Sequence, residues 1–476
     1  LSNFLILRGN LAFYFYQNNQ KYLLLNTPQH NEGTKFETTN RQIISLAAPI
    51  SLAMLIPQVN FFTNTVFLGR LGEQELGVNG ITGVFYMILT MVGYGLSSGV
   101  QVLMARRAGE ENRSGLAETF MNGVMLSVVF SLSMMLLSMW LVPLVFGLSL
   151  SSSSNFILSV NFMYIRVWGL PFIILTQLIN SFFITIGRSS LLIYGSVMVT
   201  LTNIFFDYSL IFGHFGLPAM GFNGAAVASV IAEVVFCVTM ATLFFANNYH
   251  KQYPVMRFIH LDGSLSLRTL SVAAPLIVQF LFSIGGWLVF FIFIEHLGSK
   301  ALAASQMLRN LFGIIGLGTW ALATTCNTMV SNIIGQGKQY LVEKVIKKIA
   351  KLSLVYAIVV GLLLLVFARQ FLSVYSADAD LVAYAVPSLR VIVTASIIMS
   401  LSTVVFNGVV GTGNTLVNLT IEVTCVCLYL IYCYKVIYVD HSQLYLCWCS
   451  EFVYWTCLLV TATLYLRSGK WKGKRI

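Results

Sequence analysis

Four acidic residues stand inside long apolar runs: Asp207, Glu233, Glu422 and Glu451. A charge at the centre of a bilayer costs about 2.5–3.5 kcal/mol on insertion scales, so each needs a partner or a task. Asp207 is the sharpest case. Asn203 precedes it by four residues and shares its helical face. In the earlier run Ala47–Gly72, Asn60 and Asn64 are likewise four apart, with Pro57 just ahead of them. A proline inside a helix lacks the N–H of one backbone hydrogen bond and so frees a carbonyl. Amides, a carboxylate and a kink at one depth suit the binding of a proton or a small cation. The competing reading is an Asp207–Asn203 hydrogen bond that is purely structural.

The other acids have two readings each. Glu233 and Glu451 either line a path for a cationic substrate or make helix–helix packing contacts. Glu422 is either part of a gate or lies in a wetted vestibule. Glu295, at a run's end, belongs to the interface, and Arg166, Arg390 and Arg309 are expected to be structural, the first two snorkelling to the surface. Enzymatic constellations are missing: there is no Walker loop and no His-x-x-x-His. Gly95-Leu-Ser-Ser-Gly99 fits Gly-x-Ser-x-Gly, but it lies inside an apolar run rather than at a strand-to-helix turn. Small residues for close helix packing explain it better. The eight cysteines all fall in apolar runs, and Cys425/Cys427 and Cys447/Cys449 lack histidine partners, so they read as packing residues. No cofactor or resident metal is expected, with Na⁺ considered only as a coupling ion.

These residues must be positioned by membrane helices. The chain has 476 residues, is 57% hydrophobic and only 9% charged, where soluble domains carry about 25% charged residues. The expected fold class is an all-α polytopic membrane protein. Apolar runs of about 20 residues do not occur in a transmembrane β-barrel, whose strands alternate. The formal charge of +11 is explained by basic loops rather than by nucleic acid. Twelve apolar runs fall at 45–69, 76–105, 116–147, 160–187, 190–214, 221–247, 268–297, 302–334, 344–374, 382–411, 414–437 and 443–466. Lys and Arg concentrate after the second, fourth, sixth, eighth and twelfth, which predicts both termini in the cytoplasm.

The chain also repeats. Ala47–Gly72 has a twin at Ala273–Gly298, close to half the chain further on; both open Ala-Ala-Pro and close Leu-Gly. At the same offset Arg106–Gly109 meets Asn332–Gly335, and Ile186–Gly187 meets Thr412–Gly413. Two parallel six-helix lobes follow, 41–247 and 268–467, joined by a basic linker over 248–267. A tail over 1–40, expected to be poorly ordered, and a basic tail over 468–476 flank them. Two lobes about an axis along the membrane normal are suited to alternating access. In the second copy, Pro57, Asn60 and Asn64 become Ser283, Gly286 and Phe290, which marks the first lobe as the specialised one.

The motifs in this order resemble the MATE (multidrug and toxic compound extrusion) transporters of the MOP superfamily. They are Pro49…Asn64-Thr-Val-Phe-Leu-Gly-Arg-Leu-Gly72, Gly109-Glu-Glu-Asn112, Asn203…Asp207-Tyr-Ser-Leu-Ile-Phe-Gly213, Gly221-Phe-Asn-Gly-Ala-Ala226, Gly335-Gln-Gly-Lys338 and Gly408…Gly411-Thr-Gly-Asn-Thr415. The resemblance spans about 41–470. It implies an antiporter that exports cationic, amphipathic drugs or toxins in exchange for H⁺ or Na⁺, in the plasma or bacterial inner membrane, with no enzymatic activity. The expected partners are the lipid bilayer, small organic cations and the coupling ion, with the chain a monomer. Prokaryotic members commonly carry an aspartate in the first helix at a set distance after its proline; counted from Pro49, that position is Asn64 here. Some branches carry an acid in the middle of the seventh helix, and 279–294 has none. The family's coupling residues therefore carry over only at Asp207, with Asn203 beside it, leaving Glu233, Glu422 and Glu451 to compensate for Asn64. A lipid-linked saccharide flippase of the same superfamily, or a non-transporting membrane scaffold, is the alternative.

Overall fold

The short polar loops between apolar runs supply helix caps. Thr39, Asn112, Ser152, Asp262 and Asp378 each accept a backbone N–H from the first turn that follows, satisfying donors a helix start leaves open. At Asp262 these N–H groups and the Ser264 hydroxyl hold the carboxyl below its ordinary range. The computed structural model describes residues 35–473 apart from Ser151 and Ala377. It is all-helical, with no strand among the described residues. The N-terminal tail up to residue 34 and the last three residues lie outside the described residues.

Among the described residues twelve long helices follow in order: α1 Asn40–Leu71, α2 Glu73–Gly109, α3 Arg113–Ser149, α4 Ser153–Thr185, α5 Leu191–Phe212, α6 Phe222–Ala246, α7 Gly263–Glu295, α8 Ser299–Gly335, α9 Gln339–Val366, α10 Ala379–Gly411, α11 Thr415–Val439 and α12 Leu444–Arg467. Eleven are long and apolar enough to cross a membrane. The exception, α8, has 37 residues but carries Arg309, Asn310, Asn327 and Asn332. It packs against α10, α2, α9 and α1; Asn327 and Asn332 are buried there, while Arg309 is half-buried and Asn310 exposed. A 3₁₀ turn interrupts α4 at Val167–Gly169. Pro171, which follows, has no N–H to continue the α-ladder.

Helices of each expected lobe pack on one another, and α2 also packs on α7 and α8 across them. In the first, α5 packs on α6 and on α1; in the second, α7 packs on α11, and α10 on α8 and α12. Gly187 and Gly413, equivalent in the repeat, turn the chain into α5 and α11 with φ of +78° and +85°, a conformation that glycine adopts without penalty. One end of the molecule carries the basic loops after α2, α4, α6, α8 and α12 and is called the basic end here; the other is the far end. Residues 35–39, assigned to the tail by their sequence, lie outside any helix and are tied down at the basic end, with Phe36 buried. The Phe36 N–H donates to Asn332 Oδ1, Gln336 donates to the Phe36 carbonyl and Lys348 to the Thr38 carbonyl.

Candidate functional site

The α1/α5 seam is built by two prolines and two serines. Pro49 and Pro57 lie inside α1, which runs through both as helix. Each leaves without a helical donor the carbonyl four residues earlier, at Ser45 and Ala53. Ser196 Oγ donates to the Ala53 carbonyl at 2.9 Å. Ser189 Oγ lies 3.4 Å from the Ser45 carbonyl and donates at 2.9 Å to that of Leu46. Ser196 and Asn203 are spaced by seven, two helical turns, so they share one face of α5, and Ser189, in the turn before the helix, lies seven residues ahead of Ser196. That spacing was a sequence signal for the serines, which were not among the expected site residues.

Along the same face the amides and the carboxylate meet. Asn60 Nδ2 donates to Asn203 Oδ1 at 2.5 Å, and Asn64 Nδ2 lies 3.5 Å from Asp207 Oδ2. Asn60, Asn64, Asn203 and Asp207 are thus brought together, beyond Pro57, in the half of the seam nearer the far end. Asp207 is fully buried and Asn203 nearly so. Asn203 bonds to α1, so the local Asp207–Asn203 bond weighed above is not the arrangement seen. Asn60 Oδ1, Asn64 Oδ1 and Asp207 Oδ1 have no hydrogen-bond partner among the described residues. One carboxylate and two amide oxygens are acceptors for a proton or hard-oxygen ligands for a cation such as Na⁺.

Glu233 differs from Asp207. Both its oxygens are engaged: Arg166 Nη2 donates to Oε1 and the Tyr86 hydroxyl to Oε2, each at 2.8 Å. The Arg166 guanidinium also sits 3.8 Å from the centre of the Tyr86 ring. Arg166 therefore does not snorkel: Glu233 and Tyr86 hold it inside the lobe. A Cβ at Gly169 would overlap the Glu233 carboxylate, which accounts for glycine there. Paired in this way, Glu233 fits the packing reading and has little charge left for a substrate. The repeat does not keep the pair: Arg390 is exposed. Glu451 accepts instead from Trp455 Nε1 at 2.8 Å, with its other oxygen unpartnered among the described residues.

The second lobe has its own polar seam. Asn418 Nδ2 donates to Gln279 Oε1 at 2.7 Å. One turn further on, Glu422 Oε1 accepts from the Ser283 hydroxyl and, at 2.8 Å, from the Tyr454 hydroxyl. Glu422 is fully buried, so it does not lie in a wetted vestibule, and the first lobe is not the one lobe with a polar α-helical seam. Ser283, Gln279, Asn418 and Tyr454 were not expected at this site.

Between the lobes, hydrogen bonds cluster towards the basic end. Gln101 donates to Thr328 Oγ1 at 2.7 Å, Ser331 Oγ to the Val102 carbonyl at 2.6 Å and Arg106 to the Thr412 carbonyl at 3.1 Å. A Cβ at Gly109 would overlap the Asn332 carbonyl, and one at Gly335 that of Arg106. This reciprocity matches the sequence repeat and brings the ends of α2 and α8 into backbone contact. Added Cβ atoms at Gly95 and Gly99 would come within 2.7 Å of the Cα atoms of Ile277 and Ala273. Close packing is therefore what the Gly-x-Ser-x-Gly stretch provides.

Comparison with known proteins bears on the same elements. The MatE family profile matches residues 49–209 and 275–435, two segments offset by the repeat length. A probable multidrug resistance protein NorM from Synechocystis sp. is 24% identical over 336 residues, covering 70% of this chain and 73% of its own. One of the same description from Thermotoga maritima is 23% identical over 391 residues, covering 79% and 81%. A solved structure described as the outward-facing conformation of a multidrug resistance MATE family transporter of the MOP superfamily superposes with a TM-score of 0.85. It is 15% identical, with 94% of this chain and 100% of that one covered.

Proposed function

The chain belongs to the MatE family, whose members are transporters rather than enzymes, and on that premise we propose that it exports cationic, amphipathic compounds in exchange for H⁺ or Na⁺. The observation that carries the proposal is Asp207, a buried carboxyl with an unpartnered oxygen in the α1/α5 seam. Multidrug resistance is the description of its relatives. The membrane acids favour a positively charged cargo over the anionic cargo of a saccharide flippase.

The basic end faces the cytoplasm, by the distribution of Lys and Arg, and both termini lie there. In a bacterial cell the membrane is the inner one. With hydrogen bonds and backbone contact joining the lobes at the basic end, the present arrangement is closed to the cytoplasm. Substrate enters when that seam opens and leaves at the far end. An ion shifts the balance between the two states only by binding one of them more tightly. The α1/α5 oxygens therefore change their spacing as the lobe moves, and ion binding there drives substrate out.

Reconstitution of the purified chain in vesicles, with a fluorescent organic cation such as ethidium and separately imposed H⁺ and Na⁺ gradients, tests this. Uphill movement is expected with one gradient and not the other. Movement with neither would end the antiporter reading.

A further inference from the structure

We propose that Glu422 is a second proton-exchanging carboxyl of this protein, placed in the C-terminal lobe between α7, α11 and α12. It deepens the antiporter reading and rests on it for its purpose, but not for its chemistry. Three observations carry it. Glu422 is fully buried. The ion pairs among the described residues do not involve it. Its Oε2 atom has no partner among those residues, while Oε1 is engaged by two hydroxyls.

The hydroxyl of Ser283 suits both protonation states. Its Oγ lies beside Glu422 Oε1 and also 3.2 Å from the Gln279 carbonyl. A hydroxyl has one proton and can donate to one of them at a time. When Glu422 is ionised, Ser283 and Tyr454 both donate to the carboxylate. When Glu422 takes a proton from hydronium, leaving water, the new O–H donates to Ser283 Oγ, and Ser283 turns its own proton to the Gln279 carbonyl. The reverse step returns the proton to water, so the exchange balances with the hydronium–water pair as the only co-reactant.

The surroundings isolate this carboxyl. On α7, Arg268 and Glu295 stand at opposite ends. On α10, Asp380 and Arg390 belong to its far-end half. From α12, Tyr454 and Cys457 face this region, with Glu451 one turn before Tyr454; on α11 itself the neighbour is Cys425, whose sulfur is 3.1 Å from that of Cys457. None of the groups that face Glu422 is a cation. With the basic end sealed, two hydroxyls and no cation face a charge at Glu422, so its proton exchanges with water when the seam opens.

The test uses the full-length chain in vesicles. A hydrophobic carbodiimide, which reacts with protonated carboxyls in apolar surroundings, is applied across a pH series, and the Glu422 peptide is read by mass spectrometry. Labelling that falls as pH rises is expected; no labelling, or labelling independent of pH, overturns the proposal. This arm needs no transport and stands even if the chain moves no organic cation. In a second arm, proton release on addition of ethidium is counted for wild type and Glu422→Gln, with Glu422→Asp as the conservative control. Loss of a proton per bound substrate in Glu422→Gln and its retention in Glu422→Asp are expected; equal counts in wild type and Glu422→Gln overturn the proposal. Should Glu422→Gln not fold, Ser283→Ala is read in its place by a displaced pH profile of labelling, and an unmoved profile counts against the proposal.

Discussion

The two lobes place a carboxylate on the same pair of helices at different heights. In the first, α1 and α5 pair residues 143 apart, giving Asn60–Asn203 and Asn64–Asp207. In the second, α7 and α11 pair residues 139 apart, giving Gln279–Asn418 and Ser283–Glu422. Asn64 stands about four helical turns past Pro49, whereas Ser283 stands only about two turns past the equivalent Pro275. Two turns of helix amount to about 10 Å. The duplicated scaffold therefore carries one acid nearer the far end and one nearer the basic end. Duplication conserved the helix seam as a place for a polar pair, while the position along the seam diverged.

The contrast extends to the arginines, and there the largest effect is expected. Arg166→Met strips the partner from buried Glu233 and should destabilise the protein by about 3–5 kcal/mol. Its repeat counterpart Arg390 is exposed, and Arg390→Met should stay within about 0.5 kcal/mol. Thermal unfolding in detergent compares the two; equal losses would erase the asymmetry. Next in size is Ser196→Ala, which leaves the carbonyl released by Pro57 without a donor at a cost of about 1–3 kcal/mol, read in the same assay. Gly109→Ala and Gly335→Ala should each hinder closure at the basic end, because both added methyls meet backbone. Slower disulfide formation between Gln101→Cys and Thr328→Cys would report it, and an unchanged rate would contradict it. The subtlest change is Asn64→Asp, which adds a second acid beside Asp207. A displaced pH optimum of efflux is expected; an unmoved optimum would detach Asn64 from the ion site.

Much of this was legible in the sequence. The repeat, the glycine turns at Gly187 and Gly413, the close packing at Gly95 and Gly99 and the grouping of Asn60, Asn64, Asn203 and Asp207 follow from spacing and residue type. Twelve helices were also legible, although α8 qualifies by position rather than by apolarity. The C-terminal seam was not legible, because the single offset that joins Ala47 to Ala273, applied throughout, carries Asp207 onto Cys433. The change of register between α7 and α11 is a property of packing and leaves no local pattern. The Arg166–Glu233–Tyr86 cluster joins three separate helices, and only the fold shows that an arginine near a helix break turns inward. Residues 35–39 carry no periodicity, and their anchoring depends on Asn332, Gln336 and Lys348 from the opposite lobe.

The central claim is that ion binding at the α1/α5 seam drives export, and Asp207→Asn in vesicles tests it most directly. Uphill accumulation of ethidium under an imposed ion gradient is measured beside gradient-free exchange of labelled for unlabelled substrate. Loss of accumulation with exchange retained is the expected result. Accumulation at the wild-type level by folded Asp207→Asn protein would contradict the claim.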